Sequence, residues 1–268
     1  MKEVLPLDLS FVRHAALAAA HEAGALLMDR LGNARVVKMK GAIDLVTEAD
    51  LGAEKIILDR IARAFPDHAI LAEEKGAKPG ASPYTWIVDP LDGTTNYSHG
   101  VPLFAISMAL ARDTEILFGL VHNPATGELF MAEKGGGAFL NGRPIRVSGQ
   151  AEISRSLLVT GFPYNLASMM DELMSRFTRC LAAAQGVRRL GSAALDLCFV
   201  AAGRFDGFWE QNLHPWDTAA GLIIVEEAGG RVTTFDRKPF TPDKKEILAT
   251  NGLIHEMLSS VLTAEEVS

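Results

Sequence analysis

The chain has 268 residues, 48% of them hydrophobic and 22% charged, with a formal net charge of −7. That is apolar material for one large core or two small ones, and the acidic balance argues against a general nucleic-acid-binding face, which wants clustered Lys and Arg. No apolar run approaches the roughly 20 residues of a membrane span.

The first predicted element is an amphipathic helix from Leu9 to Leu31. Phe11, Ala15, Leu17, Ala18, Leu26 and Leu27 recur at three- and four-residue steps, with Ser10 as N-cap and Gly32-Asn33 as the stop. His14 and His21, seven apart, read as solvated side chains rather than a metal pair. Leu45-Val46 is a short extended piece, after which Thr47 or Asp50 caps a helix from Leu51 to Phe65. Ala69 to Ala72 is a short strand that stops at Glu73-Glu74-Lys75-Gly76, ahead of a polar loop reaching Pro83. Trp86-Ile87-Val88 is the end of a buried strand. Pro90 removes a backbone donor, so pairing is expected to stop there. Asp89 and Asp92 should then lie where the chain leaves the sheet. Gly93 permits a close approach that a Cβ would obstruct, and Thr94 and Thr95 offer a cap or site hydroxyls.

Strands are expected at Phe104 to Leu110, Glu115 to His122, Glu128 to Ala132 and Ala138 to Leu140, with a further short piece at Ile145 to Val147. Asn141-Gly142 is a hairpin turn. Gly135-Gly136-Gly137 lacks a Gly-Lys-Ser/Thr ending, so it reads as a turn rather than a phosphate loop. Together these make an antiparallel meander.

The second half changes character. Ser156 to Thr160 is a strand, Gly161 to Tyr164 a loop, and Leu166 to Ala184 a helix. Val187 to Leu190 is a short strand, and Gly191-Ser192-Ala193-Ala194 leads a helix through Ala202. Arg188 and Arg189 form a basic spot before that helix start, either an anion contact or a plain surface pair. Phe205 to Glu210 is a strand ending in an acid. Asp217 is expected to N-cap a helix from Thr218 to Ala228, closed by Gly229-Gly230. Arg231 to Thr234 is a strand, and the last helix runs from Ile254 to Leu262. Cys180 and Cys198 lack metal-type spacing, and Met1-Lys2-Glu3 opens no leader pattern. A reduced, cytoplasmic setting is expected.

Asp50, Glu73, Asp89 with Asp92, and Asp217 each lie at an element terminus beside small or polar residues. Buried unpaired carboxylates are costly, so their convergence would call for a cation. An Asp/Glu set without Cys or paired His favours Mg²⁺ or Mn²⁺ over Zn²⁺. Such ions clamp a phosphate and activate water. Metal-dependent phosphate hydrolysis is therefore the expected chemistry.

Asp89-Pro90-Leu91-Asp92-Gly93-Thr94-Thr95-Asn96 and Trp216-Asp217-Thr218-Ala219-Ala220-Gly221 resemble the two signatures of the inositol monophosphatase family, within the lithium-sensitive, Mg²⁺-dependent phosphatases. Asp44 to Asp50, Ala72-Glu73-Glu74, Gly191 to Asp196 and Phe208-Trp209-Glu210 match weaker stretches. The resemblance runs from about Leu9 to Leu262. It implies a five-layer αβαβα sandwich of the α/β class, built as a single domain over 1–268. A metal-binding half (about 1–150) would precede a substrate half (about 151–268). It also implies two to three Mg²⁺ ions, with Mn²⁺ as a substitute and Li⁺ as an inhibitor. Glu73, Asp89 and the Leu91 carbonyl would hold the first ion, Asp89, Asp92 and Asp217 the second, and Glu73 a third through water. Asp50 and Thr94 would orient and deprotonate the attacking water. Gly93 and Thr94 amides would bind phosphate. Gly191, Ser192, Ala193, Glu210 and Asp217 would line the substrate site.

The departures concern substrate more than chemistry. Ser192 stands where animal members often have threonine, Tyr97 replaces a frequent phenylalanine, and the loop carrying Lys40 is about one residue shorter. The implied reaction is hydrolysis of myo-inositol 1-phosphate or a related polyol phosphate by a homodimer. Alternatives are fructose-1,6-bisphosphatase, histidinol-phosphatase or 3′-phosphoadenosine 5′-phosphate phosphatase activity. A different class is a factor associated with RNA polymerase or the ribosome, with Arg188 and Arg189 as contacts.

Overall fold

The computed structural model describes residues 7–33, 36–39, 45–163 and 169–264. Expectations for Lys40, Ile43, Asp44 and Tyr164, and for Leu166 to Ser168 of the predicted helix, lie outside these residues. Helix α1 (Leu9–Arg30) is followed by a hairpin of β1 (Val36–Met39) and β2 (Leu45–Thr47), then by α2 (Glu48–Ala64). Next come β3 (Ala69–Ala72), β4 (Gly76–Lys78), β5 (Tyr84–Asp92), the short helix α3 (Thr94–Ser98), β6 (Ala105–Arg112), β7 (Glu115–Asn123), β8 (Glu128–Glu133), β9 (Gly137–Leu140) and β10 (Arg143–Pro144). These strands form an eight-stranded sheet in the order β10-β9-β8-β7-β6-β5-β3-β4. The remaining elements are β11 (Leu157–Thr160), α4 (Met170–Ala183), β12 (Gly186–Arg188), α5 (Ala193–Ala201), β13 (Gly207–Gln211), α6 (Pro215–Glu227), β14 (Arg231–Thr233), β15 (Glu246–Thr250) and α7 (His255–Thr263). Their strands form a second sheet in the order β12-β11-β13-β15-β14.

Three apolar clusters hold five layers together. One joins α1 and α2 to the outer face of the large sheet. The second fills the space between the two sheets, around α5 and α6. The third packs α4 and α7 on the far face of the small sheet. This is the expected αβαβα sandwich. Its middle layer depends on small residues. A Cβ on Gly119 of β7 would come within 2.6 Å of Ile223 Cγ2 and 2.7 Å of the Ala220 carbonyl. Helix α6 can therefore lie directly on the sheet.

Several local expectations are corrected. Helix α1 is capped by Asp8, whose side chain accepts the Ser10 N–H. Its buried face is Val12, Ala16, Ala19, Ala20, Ala23, Gly24 and Leu27, whereas Phe11 is half exposed. Alanine-rich helices carry little amphipathic contrast, so packing chose the face. Strand β5 runs through Pro90. The register with β6 is regular to Asp89↔Ser107, breaks across Pro90 and Leu91, and resumes at Asp92↔Ala105. The missing N–H is tolerated because it falls in that irregularity. The hairpin partner of β9 is Arg143–Pro144, rather than Ile145 to Val147. It turns through Asn141 and Gly142, both at positive φ.

Candidate active site

Register brings the first two acids together. Strands β3 and β5 are parallel neighbours with Ala72 opposite Val88. Glu73 and Asp89, each the next residue, therefore emerge side by side. The Glu73 amide still donates to the Val88 carbonyl, and the two side chains are hydrogen-bonded to each other. Asp89 is buried, and its Oδ1 accepts the Leu91 N–H at 2.9 Å, which sets the turn. Burial pushes its carboxyl well up, reinforced by the charges of Glu73, Asp92 and Asp217.

The same register step places Asp217. Ser107, opposite Asp89, donates its hydroxyl to the Trp216 carbonyl at 3.2 Å. The start of α6 is thereby tied to β6. Asp217 is not the N-cap. The cap is His214, and Asp217 is the third helical residue, with Oδ2 accepting the His214 N–H at 2.7 Å. Pro215 at the first helical position starts the helix earlier than expected.

Asp92 joins the two halves of the chain. Its Oδ2 accepts the Ser192 hydroxyl at 2.6 Å and the Ala194 N–H at 2.8 Å. Desolvation nevertheless raises its carboxyl to about 6. Gly93 holds a left-handed φ of 89°. A side chain there would press on the Leu103 carbonyl at 2.9 Å and the Gly191 carbonyl at 3.2 Å. Asn96 donates to the Leu103 and Leu190 carbonyls at 2.7 and 2.8 Å. It pins the loop before Gly191 to helix α3.

Asp50 lies behind this group. It is neither N-cap nor surface but the third residue of α2, in a capping box with Thr47. Its Oδ2 accepts the Thr47 N–H at 2.8 Å and the Thr47 hydroxyl at 2.5 Å. The Thr94 hydroxyl oxygen is 3.0 Å from Asp50 Oδ1 and 3.0 Å from the Leu91 carbonyl. Asp50 is 1% exposed, and desolvation raises its pKa against these hydrogen bonds.

One pocket is lined by Glu73, Asp89, Leu91, Asp92, Gly93, Thr94, Gly191, Ser192, Ala193, Glu210 and Asp217. Every residue expected at the metals or the substrate thus reaches it, and Asp50 touches it through Thr94. Sequence reasoning missed four lining residues: Gly161, Phe162, Leu213 and, as a member of the site, Arg189. Arg189 is the one base among the described lining residues. Gly161 had no signal in the sequence, because its place depends on strand pairing. Strands β11 and β13 are parallel with Thr160 opposite Trp209, so Gly161 abuts Glu210, and any Cβ would collide with the Glu210 carboxyl. Asp196 was also missed. It is fully buried on α5, neither oxygen has a hydrogen-bond partner, and desolvation pushes it well up.

The donor set fits a hard cation. It is all oxygen, acidic in excess over one exposed arginine, and includes a backbone carbonyl. Among the described residues, no group of three or more Asp, Glu, His or Cys side chains is arranged to hold a metal ion by itself. Mg²⁺ does not need one, because it keeps waters and takes one or two carboxylates with substrate phosphate.

The sequence profile of the inositol monophosphatase family matches residues 8–266. An inositol-1-monophosphatase of Synechocystis sp. is 48% identical over 97% of this chain and 91% of its own. A Nus factor SuhB of Pseudomonas aeruginosa is 43% identical over 88% of this chain and 90% of its own. The solved inositol monophosphatase of Anabaena (Nostoc) sp. PCC 7120 superposes with a TM-score of 0.87 at 44% identity, covering 96% of each chain. Profile, relatives and fold agree over nearly the whole length, and the chain belongs to the inositol monophosphatase family.

Proposed function

We propose that this chain is an Mg²⁺-dependent phosphomonoesterase acting on myo-inositol 1-phosphate or a related polyol or sugar phosphate. The family is generally Mg²⁺-dependent. The observation that carries the reading is the convergence of five acids, the Leu91 carbonyl and Thr94 on one pocket, with Asp50 3.0 Å behind Thr94.

In this reading, Glu73, Asp89, the Leu91 carbonyl, Asp92 and Asp217 would hold two Mg²⁺ ions, and Glu73 would help to hold a third. Bound Mg²⁺ would offset the phosphate's charge and make a water more acidic. The chain's own residues do the rest. A Thr94 hydroxyl that donates to Asp50 turns its lone pairs to the pocket, where they accept a proton from the attacking water. Asp50, with a pKa raised by burial, is a stronger base than a solvated aspartate. Gly93 and Thr94 amides face the phosphate. Gly191, Ser192 and Ala193 border the alcohol, and the Glu210 carboxyl binds two of its hydroxyls. The first half of the chain supplies all the metal ligands but Asp217, and the second half supplies the residues that border the alcohol. We also place the protein in the cytoplasm as a homodimer, to be checked by light scattering.

The test is phosphate release from inositol phosphates, fructose 1,6-bisphosphate, histidinol phosphate and 3′-phosphoadenosine 5′-phosphate, with and without Mg²⁺, Mn²⁺ or Li⁺. Asp92→Asn should keep the fold, because an amide oxygen can still accept from Ser192 and Ala194. It should lose at least about 100-fold in Mg²⁺-dependent turnover, by removing a charge from the metal site. Near-wild-type turnover at saturating Mg²⁺ would sink the assignment.

A second reading, as an RNA polymerase-associated factor, is favoured by relatives named Nus factor SuhB. Arg188 is exposed and available to it, whereas Arg189 borders the pocket. Co-purification of RNA polymerase with the Asp92→Asn chain, together with no phosphatase activity in the parent, would favour it.

A further inference from the structure

Helix α2 carries a second acid that none of the chemistry above uses. Glu54 sits one turn after Asp50 and is 0% exposed, within the apolar layer between α2 and the large sheet. Its Oε2 accepts two backbone N–H groups, from Glu74 at 2.9 Å and Lys75 at 3.3 Å. Its Oε1 is buried with no hydrogen-bond partner. Placing a carboxyl there costs free energy that an apolar side chain would not. Packing therefore does not account for it, and the two amides do.

Those amides belong to the turn directly after Glu73. That turn reverses the chain from β3 into β4, with Ala72 paired to Gly76. Glu73 is held on one side by its own N–H to Val88. On the other side, the chain that follows is held by Glu54. Asp50 and Glu54 lie four apart, so they share one helical face. We infer that Glu54 is a positioning residue: it clamps the Glu74–Lys75 backbone so that Glu73 meets Mg²⁺ at a fixed spacing from Asp50. One rigid helix then sets both the proton acceptor and a metal ligand. Burial raises the Glu54 carboxyl, so a neutral acceptor of the same length should serve equally well.

This inference rests on the Mg²⁺ reading of the pocket, and the test separates the two. Mg²⁺ binding is measured calorimetrically on the metal-stripped full chain without substrate. Hydrogen exchange at the Glu74 and Lys75 amides is followed in the same samples. Glu54→Gln keeps an acceptor at full reach and should bind Mg²⁺ within about threefold of wild type, with both amides still protected. Glu54→Asp keeps the charge but withdraws the oxygen by one methylene, and Glu54→Leu removes it. Both should bind Mg²⁺ about tenfold or more weakly and expose the two amides to faster exchange. If Glu54→Leu does not fold, the Gln and Asp variants carry the comparison alone. Wild-type Mg²⁺ affinity in Glu54→Asp would overturn the inference while leaving the pocket reading intact. So would a Gln variant as weak as the Asp one. A wild-type chain that binds no Mg²⁺ would overturn both.

Discussion

At the scale of single residues, the site turns on which side chains touch. Thr94 is the clearest case. The sequence allows it a cap or a site hydroxyl; in the fold it lies 3.0 Å from Asp50 Oδ1 and 8% exposed at the pocket. A Thr94→Val change keeps the shape and removes the hydroxyl. If the hydroxyl passes the proton of the attacking water to Asp50, kcat should fall about 100-fold or more at saturating Mg²⁺ and substrate. Thr94→Ser should restore most of it, and circular dichroism should be unchanged in both. A Val variant within a few-fold of wild type would remove Thr94 from the proton path. The acids were legible because each lies near the end of a strand or the start of a helix, beside small or polar residues. Glu54 and Asp196 were not. Each lies inside a helical pattern, where an acid ordinarily reads as a solvated position, and only the neighbouring layers bury them.

At the scale of elements, the strands and helices that carry the site were readable to within about three residues at the ends that bear its acids, with α2 and α6 starting earlier and β5 ending later than expected, but their partners were not. The parallel pairing of β3 with β5 makes neighbours of Glu73 and Asp89, and that register is a long-range property. Strand β15 was missed altogether. Its apolar residues, Ile247-Leu248-Ala249, are too few to stand out between Lys244-Lys245-Glu246 and Thr250-Asn251. It is nonetheless an inner strand of the small sheet, and α7 is fastened to it by His255. Thr233 donates its hydroxyl to the Thr234 carbonyl at 2.6 Å, so it accepts from His255 Nε2 at 2.8 Å. Nδ1 then accepts from Thr250 at 2.9 Å. The neutral ring is what fits, and burial lowers its pKa to about 4. Between about 6.5 and 4 the unfolded chain binds a proton that the folded one refuses. This contribution is therefore full above 6.5 and lost as the pH falls through that window. A thermal-melt series should show His255→Gln reducing the loss of Tm between about pH 6.5 and pH 4 relative to wild type; equal slopes would refute the role.

At the scale of the whole molecule, the pocket is a seam. Asp92 reaches Ser192 and Ala194, Asn96 reaches Leu190, and Ser107 reaches Trp216, each bond crossing from the first half of the chain to the second. The acids at this seam repel one another, so proton and cation compete to neutralise them. Asp92 sits at about 6 against an ordinary 3.8. Between those values the folded, metal-free protein keeps a proton that the unfolded chain has released. Its stabilising share is thus full below about 3.8 and lost as the pH rises through about 6. Burial also pushes Asp89, Asp196 and Glu210 well up, so their shares are lost in the same sense as the pH rises. Mg²⁺ can offset this only where the protons have left, because its ligands must be deprotonated. The rise in Tm on adding saturating Mg²⁺ should therefore be small near pH 5.5 and grow toward about pH 8. Calorimetric scans with and without Mg²⁺ at both values would measure it. A Tm gain that does not change with pH would mean that Mg²⁺ and protons are not competing for these acids, and that the ion binds elsewhere on the molecule.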